Sequence, residues 1–438
     1  MLKLRILDLA KHTTINPFYE SYVKMLHWDR ERVVKFRDQR LQELITHAYS
    51  HVPYYRNLMQ QHGITPAQIQ TAADLQLVPV LDKEIIRANQ QSLLADNVSK
   101  EKLHQSSSSG TTGVPVTYYH DDRGISAGIA SGYALWSMSG WKPGDRHVHI
   151  WGNTSSIKRW NTWSSRMKNK LVNQKNVPSF FLDNPDQLRS VSEEIRKFNP
   201  STIEGYSTAV YTLAQYFRET KQNIPGLKQV FTTAENLEDY QRTLIEDVLA
   251  PASDLYGCGE IMGIAARPVN DERYYIFEPH VVIETADSGI DGMKDILVTD
   301  LDNYGMPFIR YKVGDMIDDI YQPDASSVYP LPHFKKIMGR TSDVITLPGG
   351  KRFHPVNIFG GTLFRKFPGI TRHKVIWDGS ALKFIFEAED LPDKNELTRQ
   401  LELLLAQYEV PFTTEFVKKI LPGTNGKYRY FEITGKQS

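Results

Sequence analysis

A single cysteine, Cys258, in 438 residues excludes an internal disulfide framework and a cysteine-rich zinc site, and it fits a reducing compartment. Lying between Gly257 and Gly259, it reads as a small side chain rather than a reactive thiol. An excess of either charge is also missing. The 52 Lys and Arg nearly balance the 51 Asp and Glu, leaving no electrostatic footprint for nucleic acid or an anionic membrane surface. Any anionic ligand must therefore be held by local groups. No apolar run approaches the ~18–20 residues that span a bilayer, and the segment from Met1 to Ala10 lacks the core and cleavage site of a signal peptide. The expectation is a cytoplasmic protein without a membrane span. Internal repeats and long low-complexity tracts are absent too.

The length is enough for two or three domains with sizeable cores. Between about 140 and 260, short β-rich runs alternate with helical patterns, the order expected of a mostly parallel sheet covered by helices. The predicted strands are His147–Trp151, Ser201–Glu204, Gln229–Thr232 and Asp254–Gly257; the predicted helices are Gln187–Phe198, Thr208–Glu219 and Leu237–Leu249. From Tyr274 to Ile320 the β runs (274–284, 295–299, 308–313) are too close for intervening helices, which predicts an antiparallel subdomain. After Asp343 a small α+β unit is expected. It has a hairpin of 374–377 and 382–386 around Asp378-Gly379, a helix carrying Leu397, Leu401, Leu404, Leu405 and Tyr408, and a strand at 416–420. The basic stretch Arg30–Met59 places Leu41, Leu44, Ile45 and Ala48 on one helical face before Pro53. This favours a core-packed helix over one lying on a membrane. The fold class is therefore α/β, α+β overall.

The run Ser106-Ser-Ser-Ser-Gly-Thr-Thr-Gly-Val-Pro115 carries the first chemical signal. Small hydroxylated residues and glycines leave backbone N–H groups to cradle phosphate oxygens, here on Ser107, Ser108, Ser109, Gly110, Thr111, Thr112 and Gly113. It is not a Walker loop, because Val114 and Pro115 follow Gly113 where Lys and Ser or Thr are required. By composition alone such a run is a flexible linker; the rest of the chain decides.

Four further motifs follow in order: Asp254-Leu-Tyr-Gly-Cys-Gly-Glu260, Thr299 through Asp315, Gly339-Arg-Thr-Ser-Asp343, and Leu421-Pro-Gly-Thr-Asn-Gly-Lys427. With His47–Tyr55 near the start, this ordered set resembles the adenylate-forming superfamily and, within it, phenylacetate coenzyme A ligase and its relatives, including a capsule-biosynthesis branch. The resemblance covers nearly the whole chain. It implies a large N-terminal AMP-binding domain, 1–338, with mostly parallel sheets and a β-rich subdomain, and a small mobile C-terminal lid, 339–438. It also implies a reaction in which ATP and a small carboxylic acid give an acyl adenylate and pyrophosphate, after which the acyl group passes to coenzyme A. Two anions must meet, so positioning and charge neutralisation dominate the catalytic task.

The resemblance assigns roles residue by residue. Lys427 is the mobile catalytic lysine between carboxylate and α-phosphate, and Glu260 is the hard oxygen ligand for Mg²⁺. Tyr256 packs on adenine, with Asp254 or nearby backbone such as Gly257 in reach of its amine; Asp315 accepts from the ribose hydroxyls and Arg340 is a second ribose or phosphate contact. Glu235 falls at the floor of the nucleotide pocket, Ser342 is the hinge, and Trp151 and Tyr206 follow predicted strands where an acyl pocket opens. Departures from the family pattern are Val114 and Val116 where many relatives have a lysine, Ser342 in a usually acidic hinge place, and Gly423 and Tyr430 in place of basic residues. The last two keep another acceptor open: an amine, a sugar or a carrier protein. A non-catalytic nucleotide-binding scaffold is the third alternative, against which Lys427, Glu260 and Asp315 argue.

Overall fold

The computed structural model describes residues 2–11, 13–108, 115–152, 162–347, 352–354, 366–367, 369–388, 393–421, 428 and 430–434. The serine-rich run begins on a hairpin of β1 (His104–Ser107) and β2 (Thr117–His120), with Ser106 opposite Tyr118. Five strands then form a parallel array: β3 (His147–Trp151), β4 (Gln174–Pro178), β5 (Thr202–Tyr206), β6 (Gln229–Thr233) and β7 (Ala252–Tyr256). β8 (Ala265–Arg267) and β9 (Tyr274–Ile276) add antiparallel strands. The predicted β-rich stretch supplies β10 (Val281–Asp287), β11 (Lys294–Asp300), β12 (Tyr311–Ile317), β13 (His333–Phe334) and β14 (Ile337–Arg340).

These strands make two sheets. The larger has eight strands in the order β13-β9-β8-β7-β6-β5-β3-β4; the smaller is antiparallel, β10-β11-β12-β14. The predicted run 274–284 thus divides between them. Its break lies at Phe277–His280, where the His280 and Val281 N–H groups both donate to the Phe277 carbonyl and form a turn. Every residue of β5 is buried, as expected of a central parallel strand covered on both faces.

The helices on the large sheet have local causes. Asn184 caps helix Pro185–Phe198 by accepting from the backbone of Asp186 and Gln187, and Asn199 ends it in the left-handed region at φ 46° before Pro200. The stretch 30–59 is two helices, Arg30–His51 and Pro53–Gln61, because the residue before a proline is driven to an extended conformation, here Val52 at φ −113° and ψ 106°. Leu41, Leu44, Ile45 and Ala48 are fully buried, so this face packs into the protein core. Unforeseen elements include helices Leu2–Lys11, Ile15–Met25 and Asp122–Ser137, and strand β4. The described helices include none long and apolar enough to cross a membrane.

Beyond β14 lie β15 (Ile345–Thr346), β16 (Arg352–Phe353), β17 (Arg372–Trp377), β18 (Leu382–Glu387), helix Lys394–Leu405, β19 (Phe412–Val417) and β20 (Phe431–Ile433). The expected hairpin is β17–β18, and its turn is held by Asp378 Oδ1, which accepts from Ser380 and Ala381 N. The expected strand 416–420 begins earlier, as β19, which runs parallel to β18. Leu397, Leu401 and Leu405 enter an apolar cluster with Phe384, Phe386 and Phe431, whereas Leu404 is exposed. β14 pairs with β12, so the expected boundary at 338/339 falls inside a strand of the smaller sheet. Arg372 joins this unit to the rest by donating to Thr212 Oγ1 (2.7 Å), and within the unit it stacks 4.3 Å over the Tyr428 ring.

The early motif His47–Tyr55 packs on the later one. His47 Nε2 meets the Tyr304 carbonyl at 2.9 Å; Tyr55 Oη donates to the Pro307 carbonyl (2.9 Å) and accepts from Ile309 N (3.1 Å). Because Tyr55 is buried, Tyr55→Phe leaves two backbone groups without their partner. The expected cost is about 1–3 kcal/mol, read as a lowered urea midpoint, and an unchanged midpoint would contradict this packing role.

Candidate active site

The two sheets meet around residues four apart in sequence on each side. Tyr256 ends β7 and Glu260 follows in the next loop, while Tyr311 begins β12 and Asp315 lies within it. Their side chains cross. Tyr256 Oη donates to Asp315 Oδ2 (3.0 Å), and Tyr311 Oη donates to Glu260 Oε1 (2.8 Å). Burial and the nearby carboxylates push both phenols well up, Tyr256 by Asp315 and Tyr311 by Glu260, so each stays a protonated donor. The Glu260 carbonyl accepts from His120 Nε2 at 2.8 Å, which ties the loop to the β1–β2 hairpin.

Asp315 pairs in register with Arg340, whose Nε stands 3.6 Å from Asp315 Oδ1. Buried Asp295 receives both Lys312 Nζ (2.7 Å) and Thr341 Oγ1 (2.8 Å), so the strand carrying Asp315 and the turn at Thr341–Asp343 share one anchor. Gly257 and Gly259 permit close approach at the loop. A Cβ at Gly257 would lie 3.1 Å from Gly263 N, and one at Gly259 would lie 2.7 Å from Tyr118 Oη.

Glu260, Asp315, Lys312, Arg340 and Thr341 line one cavity of about 1460 Å³, whereas the phenols of Tyr256 and Tyr311 brace its carboxylates from behind the wall and are not among the lining residues. Ser106, Ser107, Ser108, Gly257, Cys258, Glu260, Asp315, Arg340 and Ser342 line it at one part; Trp151, Tyr206, His147, His149 and Glu204 line another. That volume exceeds the ~300–1,000 Å³ of an ordinary small-molecule pocket, which suits two ligands side by side. The hairpin neck is closed by Ser108 N donating to the Val116 carbonyl (2.9 Å) and Val116 N donating to Ser108 Oγ (3.2 Å). Ser109, Gly110, Thr111, Thr112 and Gly113 lie outside the described residues, as does Lys427. The Cys258 thiol is pushed well up by burial and by Glu260, in keeping with an unreactive side chain.

Three expected nucleotide contacts are engaged elsewhere: Tyr256 is buried with its hydroxyl on Asp315 and does not line the cavity, and Asp254 and Glu235 are held by other partners. Asp254 is buried, accepting from Thr232 Oγ1 (2.5 Å) and Tyr274 Oη (2.6 Å), and it is not among the cavity-lining residues. Strand alternation explains this: Asp254 and Tyr256 share one face of β7, whereas Leu255, on the other face, lines the cavity, and Tyr274 and Thr232 enclose the Asp254 carboxyl. Glu235 is also absent from the lining. Its carboxylate accepts from Thr208 N (3.1 Å) and from Tyr428 N (3.1 Å), linking a helix start to the residue after Lys427. The cavity instead takes Thr233 and Ala234, the latter at φ 67°, a left-handed conformation unusual for alanine.

Trp151 and Tyr206, expected at an acyl pocket, end β3 and β5 with ring centroids 4.4 Å apart. Sequence reading missed Tyr311 and Lys312, although both lie in a motif it singled out. It also missed His147, His149 and Glu204. Burial alone would raise the Glu204 carboxyl, but the His149 and His147 rings hold it down at about 2.

No protein-family model matches the chain. It is 22% identical over 403 residues to protein CapK of Staphylococcus aureus, covering 90% of this chain and 88% of that protein. It is 25% identical over 336 residues to a phenylacetate-coenzyme A ligase of Thermus thermophilus, 73% of each. Among solved structures, a 2-hydroxyisobutyryl-CoA ligase in the postadenylation state, in complex with R3-HIB-AMP, superposes with a TM-score of 0.71 at 18% identity, covering 90% of this chain and 88% of the other. The chain is thus similar in sequence to CapK and to phenylacetate-coenzyme A ligases and shares the fold of a solved coenzyme A ligase, and these similarities support the resemblance to the phenylacetate-coenzyme A ligase-like, adenylate-forming enzymes that the motif order carries.

Proposed function

We propose that this protein activates a carboxylic acid with ATP, releasing pyrophosphate and forming an acyl adenylate, and then transfers the acyl group to coenzyme A. The observation that carries this reading is the pair of tyrosine-braced carboxylates, Glu260 and Asp315, on the wall of one large cavity shared with the neck of the serine-rich loop. A carboxylate attacking the α-phosphorus needs the two anions held in line. The hairpin neck and the loop beyond it would supply hydroxyl and backbone donors for the phosphates, and Tyr256, which does not line the cavity, serves by holding Asp315 in place. Asp315, held by one phenol, keeps acceptor capacity for ribose hydroxyls, with Arg340 beside it.

Glu260 fits a hard divalent cation, because its carboxylate is buried on the cavity wall and oriented by a phenol donor. Glu260 would hold Mg²⁺, which supplies neutralisation of phosphate charge. Lys427 would place its ammonium against the charge that develops between acid and α-phosphate. Tyr428 N, bonded to Glu235, fixes the backbone immediately after it in this arrangement. The unit from about residue 339 is then the lid, with the Arg372 contacts to Thr212 and Asp183 as its docking point and Ser342 as its hinge. Reaction in the cytoplasm fits this cofactor use.

The acceptor has a second reading. Tyr430, where the family pattern has a basic residue, donates no charge to the surface: it packs on His373 at 5.0 Å and receives Gln241 Nε2 at 3.2 Å. An amine, sugar or carrier acceptor would need no basic contact there for the phosphates of coenzyme A.

Two outcomes are expected. With Mg-ATP and pooled aryl, fatty, hydroxy and amino acids, one pool should release pyrophosphate, and Lys427→Ala should slow that release by about a hundredfold or more; equal rates would remove Lys427 from the chemistry. With the acid identified, thioester should appear only when coenzyme A is added, whereas adenylate that persists with coenzyme A but is consumed by an amine or sugar would favour the second reading.

A further inference from the structure

We propose that His147, His149 and Glu204 form a binding site for a divalent first-row transition metal of the zinc class, separate from the carboxylates assigned to nucleotide and Mg²⁺. His147 and His149 are two apart on β3 and therefore lie on one face of the strand. β5 runs parallel beside it in a register that sets Thr202 opposite His147 and Glu204 opposite His149. The result is two imidazoles and one carboxylate whose donor atoms all lie within 4.8 Å of one another.

The individual distances suit a metal. His147 Nε2 is 3.3 Å from Glu204 Oε2, close to the ~3.3 Å that separates two donors on a tetrahedral ion with bonds of about 2.0–2.1 Å. His149 Nδ1 is 2.6 Å from the same oxygen, a proton-bridged spacing that opens by roughly 0.7 Å when the ion replaces the proton. Binding displaces the proton between His149 Nδ1 and Glu204 from that nitrogen, since imidazole ligates through an unprotonated nitrogen. The other nitrogen of His147 already has its partner: Nδ1 is 2.8 Å from Thr202 Oγ1, which leaves Nε2 to ligate. Such an outer contact orients a ligating histidine.

The rings are also held in place by their neighbours. Trp136 lies against His147 with centroids 5.5 Å apart, and Trp151 stacks on His149 at 5.4 Å with 16° between planes. All three ligand residues line the cavity. Three protein donors with a cavity beside them leave a coordination position for water or for a donor atom of the cavity's occupant, the pattern of an open rather than a structural site. Another cluster, His280, Asp300 and Asp302, differs on both counts. Arg40 and Arg123 already pair with Asp302 at 3.0 Å each, and none of the three lines the cavity.

The test is metal uptake by the full-length protein, stripped with chelator, equilibrated with Zn²⁺ and desalted. The wild type should retain one zinc per chain more than folded His149→Ala or Glu204→Gln, and Thr202→Val should weaken binding by about tenfold or more. Should the ligand variants fail to fold, Co²⁺ in the wild type is the second readout, and its visible d–d bands should show nitrogen and oxygen donors. Zinc content equal in wild type and a folded ligand variant overturns the proposal, as does a stripped wild type that gives no Co²⁺ bands.

Discussion

Two phenol-to-carboxylate hydrogen bonds join the sheets and thereby fix the geometry of the site. Tyr256 and Glu260 belong to the large sheet and its following loop, Tyr311 and Asp315 to the small sheet, and each pair gives one donor and receives one acceptor. Neither carboxylate can shift without moving a phenol rooted in the opposite sheet. Hydrogen bonds to an ionised acceptor are stronger than neutral ones, and burial keeps water from competing for them. The same brace sets the width of the cavity between the sheets, which governs what fits beside the serine-rich neck.

Several supports converge on this brace. Tyr55 holds the backbone at Pro307 and Ile309, just before β12 begins. Asp121 receives the backbone N–H groups of Tyr304 and Gly305 through Oδ2 (3.0 and 2.8 Å), fixing the approach to that strand from the hairpin side. Asp295 then binds Lys312 and Thr341 together. The turn into the C-terminal unit is thus coupled mechanically to the strand that carries Asp315. Movement of that unit about Ser342 would act against this shared anchor and the Arg372 contacts.

Much of this was legible from residue patterns. Short β-rich runs alternating with helical patterns located β3, β5, β6 and the intervening helices, because a parallel strand covered on both faces reads as a near-continuous apolar run. The order of motifs located Glu260, Asp315 and Arg340, which the fold brings to one cavity, and Tyr256, which stands behind its wall and holds Asp315. Tyr311 was legible in principle, as its four-residue spacing to Asp315 repeats that of Tyr256 to Glu260. Asp254 and Glu235 were less legible. Motif position brings them near the cavity, but only packing shows that Thr232 and Tyr274 claim one carboxyl and that Thr208 and Tyr428 claim the other. Strand assignment for 274–284 failed for a related reason: a short turn within a β-rich run redirects the chain to a second sheet without leaving a strong local signature. The pairing of His149 with Glu204 depends on the register of strands some fifty residues apart, which no local pattern encodes.

The central claim is that the braced carboxylates define a nucleotide site. Its most direct measurement is calorimetric titration of Mg-ATP into the wild type and into Asp315→Asn, each shown to be folded. The account predicts saturable binding by the wild type and affinity weaker by about tenfold or more in the variant, the loss expected when charged acceptors for hydrogen bonds become neutral. Equal affinity in the two proteins, or no binding by the wild type, would contradict it.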